Sequence, residues 1–178
     1  MNGWRHMDLR MSADLGGGDR SANPSSAHVA SLAKALLTRD DNATIAAMDS
    51  LGEPATSCTI SATLSAAALS FFGPVPALDA VVAHVRTNRL RPTRDGEALP
   101  EWLAEAVLRG ALGEVEMVST LNADELVDTQ LLALRGWRFV DEEDVEPTID
   151  AAVAVAMSAV QSLSGGPSEE PPDGESTG

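Results

Sequence analysis

Apolar side chains recur every three or four residues over most of the chain from residue 25 to residue 164. This is the spacing of one face of an α-helix. Polar capping residues, glycines and prolines divide the pattern into short segments. The helices predicted in this way lie near residues 25–39, 41–51, 57–72, 77–89, 100–113, 114–120, 122–136 and 147–163. The sequence therefore predicts an all-α fold, an irregular bundle of about seven or eight short helices.

The best-formed local signal is the segment 122–136. Asn122 is a predicted N-cap and Glu125 follows three residues later, as in a capping box. Arg135 near the end complements the helix dipole, and Gly136 provides the stop. The buried face expected for helix 77–89 comprises Leu78, Val81, Val82 and Val85. That of helix 122–136 comprises Val127, Leu131 and Leu134, and that of helix 147–163 comprises Ile149, Val153, Ala156, Val160 and Leu163.

The segment from Cys58 to Ser65 is ambiguous, because it alternates apolar and polar residues as a half-buried strand does. Ile60, Leu64 and Phe71 also fall on one helical face, and alanines follow directly. Length and alanine content favour a helix here. Its small side chains would allow another helix to approach closely.

Three regions follow from composition. Residues 1–24 contain Gly16-Gly17-Gly18 and few apolar residues, which is typical of a flexible leader, and Met7 or Met11 is an alternative start. Residues 25–164 form the predicted single helical domain. Residues 165–178 are an acidic, proline-rich tail, which we expect to be disordered.

Charge and cysteine usage narrow the classes of function. The formal net charge of −15 argues against general nucleic-acid binding, which requires a basic surface. A single cysteine, Cys58, fits a reducing compartment, and residues 1–24 lack the apolar core of a signal peptide. The uncharged stretch 54–78 contains Pro74 and Pro76 and many hydroxyl side chains, so it is a poor membrane span. We expect a cytoplasmic protein, and its arginine-rich composition suggests a bacterial source.

Four arginines, Arg86, Arg89, Arg91 and Arg94, lie within nine residues of this acidic chain. Guanidinium groups that converge can bind a carboxylate or phosphate in a bidentate manner. Contact with a ligand or partner, pairing with the acidic region 114–150 of the same chain, and simple solvation remain open alternatives.

A second candidate segment lies close to the end of the predicted helix 122–136. Trp137, like Trp102 at the start of another predicted helix, is either a core residue or an interface anchor. Phe139 and then acidic residues follow Trp137 closely. The acidic run comprises Asp141, Glu142, Glu143 and Asp144. It lacks the ligand spacing and glycine of a calcium loop, so an electrostatic role toward a basic partner is the better interpretation.

Catalytic signatures are missing from the sequence. There is no phosphate-binding glycine loop after a strand, no nucleophile elbow and no His/Cys metal spacing. The leading hypothesis is a non-enzymatic protein–protein interaction or regulatory module without cofactor, with a possible homodimer in which the basic patch meets the acidic run. The alternatives are a regulator that binds a small anion through Arg86–Arg94, and a helical enzyme that uses carboxylates and His84. Binding to nucleic acid or membrane is not expected.

Overall fold

The computed structural model describes residues 24–90 and 99–164. Within these ranges the chain forms seven α-helices and no strand, which confirms the predicted all-α bundle. The helices are α1 (Ser26–Thr38), α2 (Asp41–Leu51), α3 (Glu53–Phe72), α4 (Leu78–Thr87), α5 (Glu101–Ala111), α6 (Ala123–Gly136) and α7 (Val145–Ser164). Two short 3-10 helices, Val115–Val118 and Glu142–Asp144, precede α6 and α7. The predicted leader 1–24, except its last residue, and the tail 165–178 lie outside the described residues.

Capping side chains begin three of the helices, and among them Asn122 is a predicted N-cap. Ser25 and Asp40 accept hydrogen bonds from the backbone N–H groups of the first turns of α1 and α2. Oδ1 of Asn122 accepts from the N–H of Glu125 at 2.8 Å. The Asn122 amide also donates to the Glu125 carboxylate at 2.8 Å, so the reciprocal bond joins two side chains and not the backbone N–H of a capping box.

Residues 53–72 form one continuous helix, which resolves the ambiguity at 58–65 in favour of helix. The buried hydroxyl groups of Thr59 and Thr63 each donate to a carbonyl one turn earlier, at 2.7 Å. These polar positions are therefore satisfied within their own helix and need no strand partner. Pro54 lies in the first turn, where its missing N–H costs nothing.

Helix α3 lies at the centre of the bundle and contacts α1, α2, α5, α6 and α7. Ala62 packs in a cluster with Val29 of α1 and Ala156 of α7, whereas Ala66 packs near Ile149 of α7. The order of these contacts shows that α3 and α7 run antiparallel. The small side chains let the two helices approach closely along their length.

The main core lies on the other side of α3. It joins buried side chains of α1, α3, α4, α5 and α6 with the segment after α6. Its largest fully buried members include Leu32, Leu36, Ile60, Leu64, Leu108 and Val107. Gly136 allows a close approach here, because a Cβ atom at that position would lie 2.6 Å from Cδ2 of Leu90.

Several predicted details are wrong. Leu78 and Leu163 are 48% and 67% exposed, because they sit in the first and last turns, beyond the neighbouring helices. Helix α6 is rotated from the expected face: Gln130 and Ala133 are buried beside Leu134, and Val127 and Leu131 are only partly buried. In this orientation the side-chain oxygen of the buried Gln130 accepts a hydrogen bond of 2.9 Å from Ser61 of α3, so its burial leaves this acceptor satisfied. Helix α7 begins at Val145, two residues before Pro147.

By length and composition alone, α3 could span a membrane. In the bundle, however, 56% of its apolar window is buried against the other helices. Its apolarity is thus the composition expected of a central core helix.

Close packing of α3 on α7 predicts a position-dependent response to one substitution. Ala156→Leu places three extra carbon atoms where the alanine is fully buried, and we expect a loss of about 1–3 kcal/mol in the free energy of unfolding. The matched control is Ala154→Leu on the exposed face of the same helix, which should stay within about 0.5 kcal/mol of the parent. Urea unfolding of the three proteins measures both. Equal stability of the two variants would contradict the packing described.

Candidate interaction surface

Two of the four predicted arginines converge on one carboxylate. Nε of Arg86, in the last turn of α4, lies 3.8 Å from Oε2 of Glu101, the first residue of α5. Nη2 of Arg89 donates to Oε1 of the same carboxylate at 2.7 Å. The Arg86 and Arg89 side chains remain 69% and 58% exposed. Two cations thus share one anion, so this point of an acidic protein carries a local excess of positive charge.

The structure describes two of the four arginines of the predicted cluster, Arg86 and Arg89. Arg91 and Arg94 lie outside the described residues. The carboxylate that pairs with Arg86 and Arg89 belongs to α5, not to the acidic region 114–150 that the sequence offered as an internal partner. Within the described ranges, the arginines of that region pair locally or with α2, for example Arg135 with Asp41 at 2.8 Å.

The structure separates the two tryptophans that the sequence left equivalent. Trp102 follows Glu101 on α5 and is 62% exposed. Trp137 is 3% exposed and Phe139 is 7% exposed, so both are core residues in this fold. An exposed tryptophan therefore directly follows the carboxylate that pairs with the two arginines, whereas the tryptophan next to the acidic run in the chain is buried. No local signal distinguished Trp102, because its exposure depends on which face of α5 meets the core.

Four aromatic rings surround His84 of α4. Its imidazole contacts Trp137 at 5.1 Å and Phe139 at 5.7 Å between ring centroids, the latter stacked. From the end of α3, Phe71 and Phe72 approach it edge-on at 5.2 and 5.5 Å. Such stacked and edge-to-face contacts each add to the apolar burial. The cluster ties α4 to the end of α3 and to the segment after α6.

The polar atoms of His84 are poorly partnered. Its Nδ1 lies 3.4 Å from the amide nitrogen of Asn88, and its Nε2 is buried without a hydrogen-bond partner. The Trp137 indole N–H donates to the carbonyl of Asn88, so Asn88 links the histidine and the tryptophan. Within the described residues no carboxylate hydrogen-bonds His84. The arrangement that an acid–base role would require is therefore not observed here.

The acidic run forms the 3-10 helix that leads into α7. Asp141, Glu142, Glu143 and Asp144 are all exposed. Nη2 of Arg138 lies 4.0 Å from Asp141, at the limit of an ion pair. The Asp144 carbonyl accepts a hydrogen bond from the Thr148 hydroxyl at 2.7 Å in the first turn of α7. The run is positioned by the backbone of α7, and its carboxylates face solvent near the positive end of that helix.

Other chemically reactive groups form no obvious site. Within the ranges 24–90 and 99–164, no group of three or more His, Cys, Asp or Glu side chains is placed to hold a metal ion. Partial burial raises the pKa of the Cys58 thiol, which disfavours the reactive thiolate. Comparison with known protein families, with curated proteins and with solved structures finds no match to this chain.

The aromatic environment of His84 predicts a pH-dependent stability. Burial lowers the pKa of its imidazole below the ordinary value of 6.5, because the cluster disfavours the charged form. The unfolded chain then binds the proton more readily. The free energy of unfolding should consequently fall as the pH drops from about 7.5 to 5.5, through the unfolded pKa.

Urea unfolding at a series of pH values measures this effect. In His84→Phe the free energy of unfolding should change less between about pH 7.5 and about pH 5.5, because an aromatic ring is kept at this position but the group that binds the proton is removed. His28→Gln, at an exposed histidine of α1, serves as the matched control and should retain the parent pH dependence. A His84→Phe profile parallel to that of the parent would contradict the assignment.

Proposed function

We propose that this chain is a non-enzymatic protein–protein interaction module whose contact surface is formed by Arg86, Arg89 and Trp102. The observation that carries the proposal is the pairing of two exposed arginines with Glu101, the residue directly before the exposed Trp102 in the chain. Arginine and tryptophan are the residues most enriched among interface positions that dominate binding energy. On a protein of net charge −15, a local excess of positive charge also favours a partner with an acidic contact surface.

The partner chemistry follows from this surface. An acidic segment can pair with the two guanidinium groups, and an apolar side chain next to it can cover the Trp102 indole. Glu101 already holds the guanidinium groups together, so they are oriented before a partner arrives and lose little side-chain entropy on binding.

A second copy of the chain is one partner that fits. Its exposed run Asp141–Asp144 supplies four carboxylates, and pairing of this run with the arginine surface would give a homodimer. Two molecules of strongly negative charge repel each other at long range, so the contact must be short-ranged and local. Sedimentation at low and moderate salt distinguishes this self-association from a foreign partner.

The small-anion alternative is less favoured at this surface. Glu101 already neutralises part of the positive charge of the two guanidinium groups, so charge alone gives a ligand little binding energy here. The surrounding side chains are exposed, so a bound anion would stay in contact with water and gain little. A protein partner adds the Trp102 contact, which a small anion lacks.

The proposal predicts which substitutions abolish binding. We expect that Arg86→Ala with Arg89→Ala, or Trp102→Ala alone, weakens partner binding by about 2 kcal/mol or roughly thirtyfold. Affinity capture of partners from the native host at two salt concentrations, followed by calorimetry with the captured protein, measures the loss. Higher salt should weaken the parent complex.

The matched control is Lys34→Ala, because Lys34 is an exposed cation that pairs with one carboxylate, Glu146, on another part of the bundle. It removes one positive charge and should leave binding within about twofold of the parent. A stoichiometric partner that tolerates all the surface substitutions would refute the assigned surface. A parent protein that stays monomeric and captures no partner at either salt concentration would refute the interaction function itself.

A further inference from the structure

Two other arginines, Arg39 and Arg138, line a small pocket at the end of α1. Its remaining lining residues, here called the floor, are all apolar: Leu37, Leu134, Trp137, Phe139 and Val140. The cavity has a volume of about 20 Å³. This is slightly more than one water molecule needs, so a group of one or two carbon atoms fits.

The backbone of Arg39 is unusual. Its φ of 58° and ψ of 37° are left-handed, and it is the one residue other than glycine with a positive φ among the described residues. Glycine or asparagine is the usual residue at this position after a helix, because a Cβ atom is strained there. An observed strained position is a reason to look for a role of its side chain.

The guanidinium group of Arg39 has no ion pair or side-chain hydrogen bond within the described part of the chain. That of Arg138 is 69% exposed and reaches Asp141 only at 4.0 Å. The neighbouring carboxylates are engaged elsewhere: Asp40 caps α2 through the N–H of Ala43 at 3.0 Å, and Asp41 pairs with Arg135 at 2.8 Å. Two arginines without a close ion pair thus line one largely apolar pocket.

We propose that this pocket binds a short aliphatic carboxylate group, held by Arg39 and Arg138, with its carbon atoms on the floor formed by Trp137 and Phe139. Paired guanidinium groups recognise the planar carboxylate by charge-assisted hydrogen bonds. The cavity volume limits the apolar part to one or two carbon atoms, as in propionate or in a glutamate side chain. The ligand is therefore a free short-chain carboxylate or an acidic side chain of a peptide.

The test is a titration of the full chain with sodium propionate, followed by NMR. The signals observed are the Trp137 indole N–H, assigned with the aid of Trp102→Phe and Trp4→Phe, and the Arg39 Nε–H. We expect saturable shifts of both signals, with a dissociation constant on the order of 1–10 mM for so small a ligand.

Two variants separate binding from stability. Arg39→Gly should abolish the saturable shift of the Trp137 signal while keeping or raising the melting temperature, because glycine relieves the left-handed strain. Arg138→Ala should weaken propionate binding at least tenfold. Arg86→Ala, at the separate interaction surface, is the matched control and should bind propionate as the parent does.

Two further probes distinguish the source of the carboxylate and its specificity. The first probe is the acidic peptide GGPSEEPPDGESTG, which has the sequence of residues 165–178. If this peptide binds at the pocket tenfold more tightly than propionate, the natural ligand is a peptide carboxylate. Weaker binding of the peptide would favour a free acid. The second probe is inorganic phosphate, and the proposal is overturned if phosphate binds with the same affinity as propionate. It is also overturned if the propionate-induced shifts do not saturate, or if they persist in Arg39→Gly. Neither result bears on the surface around Trp102.

Discussion

Close packing around α3 is the constraint on which the rest of this structure depends. The helix is buried from several sides, and its small side chains let α1 and α7 approach along one part of its surface. Larger residues such as Ile60 and Leu64 face the main core on another part. Because alanine and threonine leave little free volume between the helices, a larger residue at these positions has no space to occupy. The buried threonine hydroxyls are satisfied within α3 itself and do not direct its neighbours.

The position of the candidate surface follows from the end of α3. Phe71 and Phe72 at that end, His84 of α4 and Phe139 after α6 meet in the aromatic cluster. The Trp137 indole, bonded to the Asn88 carbonyl, attaches the end of α4 to the core. Arg86 and Arg89 flank this attachment along the chain, so they project from a supported backbone. A surface so supported pays a smaller entropic cost when it binds a partner.

Local features of the fold were predictable from the sequence, and long-range ones were not. The capping side chains of α1, α2 and α6 act within three residues, so they are visible in the sequence. The orientation of α6 buries Gln130, whose side chain is satisfied by Ser61, a residue 69 positions away in the chain. The arginine pair was found from its spacing, but its partner Glu101 and the exposure of Trp102 depend on how α5 packs. The left-handed Arg39 had no sequence signal, because arginine is not a residue that favours this backbone conformation.

Native-state hydrogen exchange, residue by residue, tests most directly whether α3 organises the bundle. The account predicts that the amides of the buried part of α3, from Thr59 to Ala68, exchange only through global unfolding and are among the slowest in the protein. Their exchange free energies should equal the free energy of unfolding from urea denaturation. The amides of α4, which has few buried residues, should exchange sooner. Exchange of the α3 amides as fast as those of α4 would contradict a central role for α3.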